Sequence, residues 1–491
     1  MIGGLWKSTS SVALIAAAGL IVGGVAMPSA QAADLGGDCC ADLEERVAEL
    51  EATTARKGNR RVSLTISGQV NRSILFYDDG FRSDFLSVDN SNATTALVFT
   101  GTARINPSLV AGFQIQLSLN TCGRSHQVNQ VDDDACGSPV TLNSDGLGGA
   151  GDALIALDLA NWYLAHKDFG TLTVGRLNTA SAGSTTVDLG GIGVIANSQP
   201  VSGFGMLLRS GTGRLGTYAS AAGPNTWGSL NCGAGQAAGA GVYQADCGFH
   251  ALSRRDGARY DTPTFAGFSA SVAWGEDDYW DAALRYAGEA AGFRVAAAVA
   301  YRSFRDREAD VQVVGPPGGQ LKDTDRRALQ GSASILHVAS GLFLNGALMR
   351  YEFHGTNQQE INGLTGDNRP DVTMWYVAGG ITKNWTGLGN TALYAEYGQY
   401  DNSITGLSTA TTLAGLDLVP AGHFVSDSEH QWWGLGLVQN IDAAAMELYI
   451  GYRRYSADVT IQHFGVACCI PGEQIRLEDI SVVQAGSRIR F

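Results

Sequence analysis

From Arg61 to the C-terminal Phe491 the chain keeps to a single period, and that period is two. Val62-Ser63-Leu64-Thr65-Ile66-Ser67 alternates apolar and polar residues strictly, as does Phe113-Gln114-Ile115-Gln116-Leu117-Ser118-Leu119-Asn120. The same beat returns from Phe293 to Tyr301 and from Met446 to Arg453. Successive strand side chains point to opposite faces, so each segment reads as a strand with one apolar and one polar face. Each runs for about 9–13 residues, the length a tilted strand needs to cross a bilayer. Sixteen can be counted, at 61–77, 95–106, 109–121, 154–166, 170–177, 256–263, 267–275, 279–287, 291–304, 327–338, 342–353, 372–383, 390–400, 430–440, 445–457 and 478–491.

The connections between these strands alternate in length. Asn106-Pro107-Ser108, Lys167-Asp168-Phe169-Gly170, Thr262-Pro263-Thr264, Gly288-Glu289-Ala290, Ala339-Ser340-Gly341 and Asp442-Ala443 are tight turns, and between them lie long Gly-, Asp- and Asn-rich loops. Short turns at one end and long loops at the other are the hairpin pattern of an antiparallel barrel in an outer membrane. A soluble sandwich has no reason to sort its loops in this way. The fold expected is therefore all-β, a transmembrane 16-stranded antiparallel β-barrel.

Composition removes the rival classes. Glycine occupies 64 of 491 positions without a triplet period, and there are only 11 prolines, which excludes collagen. With 45% hydrophobic residues the chain is no disordered polyanion. Beyond the leader no segment approaches the roughly 20 apolar residues of a spanning helix. A net charge of −14 speaks against a nucleic-acid partner. The basic side chains are lopsided, with lysine only at positions 7, 57, 167, 322 and 383, so arginine dominates.

Residues 1–32 have the make-up of a secretory signal peptide. Lys7 supplies the basic start, Val12–Met27 is apolar, and Ala30-Gln31-Ala32 fits the small-x-small cleavage rule. Residues 33–60 form a periplasmic segment in which Leu43, Val47, Leu50 and Thr54 recur at 4-3-4 spacing, a short amphipathic or coiled-coil helix. Residues 61–491 form the barrel. Eight cysteines in an exported chain are expected to be oxidised. Cys122 with Cys136 and Cys232 with Cys247 read as local staples in loops, and no CxxC or histidine ladder points to a metal. Cys39-Cys40 and Cys468-Cys469 fall on opposite sides of the membrane and cannot pair within one barrel.

Apolar faces must meet lipid, so the polar faces turn inward. By this rule Arg259, Arg285, Arg294, Arg302, Arg453, Arg488 and Arg490 point into the lumen, together with Glu396 and Glu447. An interior this charged is expected to be wet and to form a channel. One connection, residues 178–255, is too long for a simple loop. Folded into the lumen, it would narrow the channel and set Asp188 near the arginine wall, where opposed charges make a strong transverse field. The alternative for Asp188 is an ordinary turn cap.

Cys39-Cys40-Ala41-Asp42-Leu43-Glu44-Glu45-Arg46-Val47-Ala48-Glu49-Leu50-Glu51, Ser67-Gly68-Gln69-Val70-Asn71-Arg72, Asn161-Trp162-Tyr163, Gly175-Arg176, Ala258–Phe268 and Leu437–Ala445 carry a resemblance. Together they resemble the general porins of alphaproteobacteria, over nearly the whole mature chain. The resemblance implies a homotrimer in the outer membrane, surrounded by lipid and lipopolysaccharide. It implies a third loop folded inward as an eyelet, and passive diffusion of small hydrophilic solutes and ions without cofactor. It also places Arg176 on the eyelet's basic side and Asp188 on its acidic side; Arg259 and Arg285, inward by alternation, are expected to face Asp188 across the constriction together with Arg176. Small residues at Gly101, Ala103, Ala111 and Gly112 suit close packing of one barrel against another. One departure stands out: the second strand of the family commonly opens with arginine, and Thr95-Ala96-Leu97-Val98-Phe99 has none. A substrate-selective channel and a surface receptor or structural barrel are the alternatives. A hydrolase is not expected, since the eight histidines are scattered and none sits in a nucleophile motif.

Overall fold

The computed structural model describes residues 62–119, 123–126, 128–131, 155–216, 226–228, 230, 254–276, 278–306, 324–354, 370–405, 423–463 and 472–491. The signal peptide, the short helix and all eight cysteines, including Cys122, Cys136, Cys232 and Cys247, lie outside the described residues. The strands run β1 (Ser63–Asp78), β2 (Ser83–Asp89), β3 (Ala96–Asn106), β4 (Leu109–Leu119), β5 (Ile155–His166), β6 (Gly170–Asn178), β7 (Arg254–Asp261), β8 (Phe268–Gly275) and β9 (Trp280–Ala290). They continue with β10 (Phe293–Asp306), β11 (Thr324–His337), β12 (Leu342–His354), β13 (Val372–Lys383), β14 (Thr391–Asp401), β15 (His423–Ile441), β16 (Met446–His463), β17 (Glu473–Arg476) and β18 (Ile480–Arg490).

These eighteen lengths make sixteen staves. β1 pairs with β3 over Ser63–Gln69 and with β2 over Arg72–Asp78, so β2 and β3 are one stave in two pieces. β17 and β18 divide the stave beside β16 in the same way. β1 then pairs antiparallel with β18, from Gln69↔Arg490 to Asp78↔Ser481, and the barrel closes. β2 was not among the expected strands. Its stave is interrupted where Asp89 and Asn90 turn their side chains onto the backbone N–H groups of Thr95 and Asn92, competing with the ladder.

The two faces follow the alternation. Leu64, Ile66, Val70 and Ile74 are exposed on the outside of β1, while Asn71, Ser73 and Leu75 are buried inside. Aromatic side chains pair across the outer face, Trp433 with Tyr452 and Trp375 with Tyr397, at 5.2 and 5.0 Å between ring centroids. Ile489 and Phe491 are both exposed on the outer side of the last strand. The turn expected at Gly288-Glu289-Ala290 falls just beyond them: those residues end β9, and Ala291 (φ 52°) and Gly292 (φ 80°) alone join β9 to β10, the two-residue hairpin whose twist matches its strands.

Part of the inner wall is covered by apolar side chains instead of facing the lumen directly. Tyr77, Tyr376, Tyr394, Trp432, Tyr449 and Tyr455 on the wall form one buried cluster with Ile192, Val194, Ile195, Phe204, Met206 and Leu208 of the 178–255 connection. Inward-facing does not mean water-facing here, because the connection covers much of the wall with apolar side chains of its own.

Candidate functional site: a strap across the lumen

Residues 179–216, called the strap below, leave the end of β6 and run along the inner wall from β9 round to β1. Four sets of side chains hold them there. At the root, Arg259 Nη1 donates to the carbonyls of Asn178 and Thr179, both at 3.0 Å, while its Nε and Nη2 bind Asp261. Arg285 Nη2 donates to the carbonyls of Ala180 and Ala182 at 2.5 and 2.9 Å, and its Nη1 to Ser271 Oγ at 3.1 Å. Asp281 accepts the N–H groups of Ala180 and Ser181 and the hydroxyl of Tyr279. The planar guanidinium fork suits this task, since it reaches two carbonyls at once.

Along β11 and β12 the anchor is a ladder of small polar groups. Gln330 Nε2 donates to Ser184 Oγ at 2.7 Å and Ser332 Oγ to the Ser184 carbonyl at 2.7 Å. The N–H groups of Val187 and Leu189 donate to Ser332 and Ser334, each at 3.0 Å. Asp188 is the centre of this stretch. Its Oδ1 accepts Gly190 N–H, Gly191 N–H and Asn345 Nδ2, and its Oδ2 accepts Ile192 N–H and Gly193 N–H, all between 2.8 and 3.1 Å. Successive N–H groups converging on one carboxylate form a nest.

Further on, Arg453 and Glu396 make an ion pair at 2.7 Å beneath the strap, with side chains only 6% and 1% exposed. Arg453 Nη2 also donates to the Ile195 carbonyl at 3.2 Å, and Tyr376 OH donates to Glu396 at 3.0 Å. Tyr455 OH reaches the carbonyls of Pro200 and Ser202, Tyr400 OH that of Ser198, and Ser202 Oγ bonds Gln484. At the far end Arg209 Nη2 meets Asp79 Oδ2 at 2.7 Å, and Asp79 also accepts Gln130 Nε2 and the N–H groups of Phe81 and Arg82. Burial pushes the Asp79 carboxyl up, but Arg209 and these N–H donors outweigh it and hold the pKa below the usual carboxylate range.

The strap leaves another part of the wall uncovered by any of these bonds. The ladder row through Arg259 passes to Thr173, Tyr163, Gly112 and Thr102, and the adjacent row carries Gln114, Asn161 and Thr100. On this side the inner face is built of hydroxyls and amides.

The expected site residues divide clearly. Arg259 and Arg285 do point inward, but onto strap carbonyls. Asp188 faces its own backbone and Asn345 rather than an arginine, which is the turn-cap alternative enlarged to four N–H groups. Arg176 needs a correction: its row holds Ala160 and Asp256, on the outer face with Trp162, Leu172 and Tyr260. There it pairs with Asp256 at 3.7 Å, and both side chains are well exposed. Of the other inward charges, Arg294 pairs with Glu289 at 2.8 Å, and Arg488 and Arg490 share Glu447. Arg302 is buried opposite Asp281. Gly101, Ala103 and Ala111 share the outer face, but Gly112 faces inward under the Tyr163 ring.

Asp281, Asn345, Asp79, Arg209 and the Ser332/Ser334 pair were missed. For the serines a signal exists, since Gln330, Ser332 and Ser334 place hydrogen-bonding groups at three successive inward positions of one strand. Among the described residues, no group of three or more His, Cys, Asp or Glu side chains is placed to hold a metal ion.

Among curated proteins none matches the sequence. Similar solved structures include an anion-selective porin from Comamonas acidovorans, 18% identical, covering 88% of this chain and 100% of that one, with a TM-score of 0.49. OmpT, an outer membrane protein of Vibrio cholerae, is 11% identical over 89% of this chain and 100% of its own, with a TM-score of 0.47. OmpF of Salmonella typhi, in complex with daunomycin, is 12% identical over 87% and 97%, with a TM-score of 0.45. The sequence profile of a family described as Gram-negative porin matches residues 13–460, most of the chain, and the protein belongs to that family.

Proposed function

We propose that this outer-membrane porin passes small hydrophilic solutes and ions by passive diffusion, through a lumen narrowed by the strap. The observation that carries this reading is the anchoring itself. Side chains from β7, β9, β11, β12, β14, β16 and β18 hold residues 179–202 against the inner wall. A segment held along the inner wall on fixed anchors takes a constant share of the lumen, and a constant aperture sorts solutes by size. The charges expected to face each other across the passage, Arg259, Arg285 and Asp188, act in this reading on the strap's own backbone.

The assembly is proposed to be a homotrimer in lipid and lipopolysaccharide. Gly101, Ala103 and Ala111 on the outer face of β3 and β4 support it, because small side chains let two walls approach. The motifs around Cys39–Glu51 and Ala258–Phe268 support kinship with the general porins of alphaproteobacteria. Purified protein added to planar bilayers is expected to insert in discrete conductance steps that stay open, and to admit small sugars in liposome swelling. A barrel giving neither steps nor swelling would sink this function.

A further inference from the structure

Among the described residues most of the expected inward charges have partners, and the wall of β3–β6, which none of the strap bonds above reaches, is largely uncharged. Arg259 binds Asp261 and two carbonyls, Arg285 two carbonyls and a serine, and Arg453 is locked to Glu396. Arg294 has Glu289, while Arg488 and Arg490 have Glu447. Asp188 accepts five donors, four of them backbone N–H groups. In and beside the ladder rows of the strap's root, the wall of β3–β6 presents Thr100, Thr102, Asn161, Thr171 and Thr173, all partly exposed, with Gln114 buried among them. The charged exceptions among the described residues of this wall are Arg104, one row nearer the β3–β4 turn, and the buried Asp158, which is held by Gln116, Ser118 and Arg254.

We infer that this wall is the selectivity surface, and that the passage favours neutral, hydroxylated solutes of the saccharide class over ions. The inference rests on the channel reading above. A solute leaving water needs its hydrogen bonds replaced, and threonine hydroxyls and amides offer both donors and acceptors to sugar hydroxyls. A permeating ion instead needs an uncompensated charge of opposite sign, and paired guanidinium groups present mainly a dipole. Discrimination between cations and anions should therefore be weak, although arginine dominates the chain's basic residues.

The test uses the full-length protein. Reversal potentials in a potassium chloride gradient give the cation-to-anion permeability ratio, and liposome swelling compares glucose with gluconate and glucosamine. The ratio is expected within about threefold of unity, with glucose entering at least as fast as either charged sugar. A ratio beyond about tenfold in either direction, or slower glucose entry, overturns the inference. Thr100→Arg and Thr173→Arg, examined separately, each place a new guanidinium in the wall and should shift the ratio toward anions by about threefold or more. An unchanged ratio in folded barrels of both variants shows that this wall does not line the passage, which also overturns it. No conductance in wild-type protein would remove the channel reading as well, so the two failures are distinct.

Discussion

The inner wall of the barrel falls into two regions built by the same alternation. From β9 round to β18 the inward side chains include tyrosines, a tryptophan, serines and the buried Arg453–Glu396 pair, and the strap lies on them. From β3 to β6 they are mostly threonines, glutamines and an asparagine, with Tyr163, Asp158 and Arg104 among them, and among the described residues none of the strap bonds above reaches them. Strand periodicity states only which side a residue faces. What it meets there depends on the chain segment folded against it, and that segment turns charged groups of the first region from pore lining into clamps.

The contrast can be broken most severely at the ion pair. Arg453→Met leaves Glu396 buried without its partner and removes the bond to the Ile195 carbonyl, at a cost of about 3–5 kcal/mol. Thermal unfolding in detergent should show the loss, and Arg453→Met combined with Glu396→Leu should recover much of it. Recovery failing in the double variant would argue that the Ile195 contact, not the charge pair, sets the stability.

A smaller effect is expected at the root. Arg285→Gln forfeits two charge-assisted bonds to Ala180 and Ala182, roughly 2–4 kcal/mol of local anchoring. Open-channel current noise should rise as the root frays, with the mobility of the folded barrel on gels unchanged. Quiet channels in this variant would show that Asp281 and Arg259 suffice.

Acid sharpens the comparison at the far end. The Asp79 carboxyl has its folded pKa lowered, chiefly by Arg209 against the opposing effect of burial. Its contribution is fully present above the unfolded value of about 4, and is lost as pH falls through the lower folded value. Protease access to the Arg209 region should therefore increase only below about pH 4, and Asp79→Asn should show that access already at neutral pH. The least effect belongs to Arg176→Gln. An exposed pair on the outer face contributes about 1 kcal/mol or less, and conductance and ion preference should stay as in wild type.

Much of the fold was legible because it is written in local pattern. Sixteen staves, the tight turns and the terminal Ile489 and Phe491 all follow from alternation and turn residues. The broken second stave was not, because Asp89 and Asn90 end the ladder through side-chain bonds that no periodicity records. Asp188 was half legible, since the glycines that follow it allow backbone N–H groups to gather on one carboxylate. Arg176 was placed by resemblance alone; its position beside Leu172 and Val174 in the alternation sets it outside. The strap's anchors were illegible because they join positions as distant as Ser202 and Gln484.

The central claim is that a strap on fixed anchors narrows the lumen, and Asp188 tests it most directly. Asp188→Ala removes the acceptor of four backbone N–H groups and the link to Asn345. Single-channel conductance of this variant and of wild-type protein, in the same salt, is the measurement. The strap should loosen at its middle, and the variant should conduct more, in larger and noisier steps. Steps of the same size and steadiness in a fully folded variant would contradict the account.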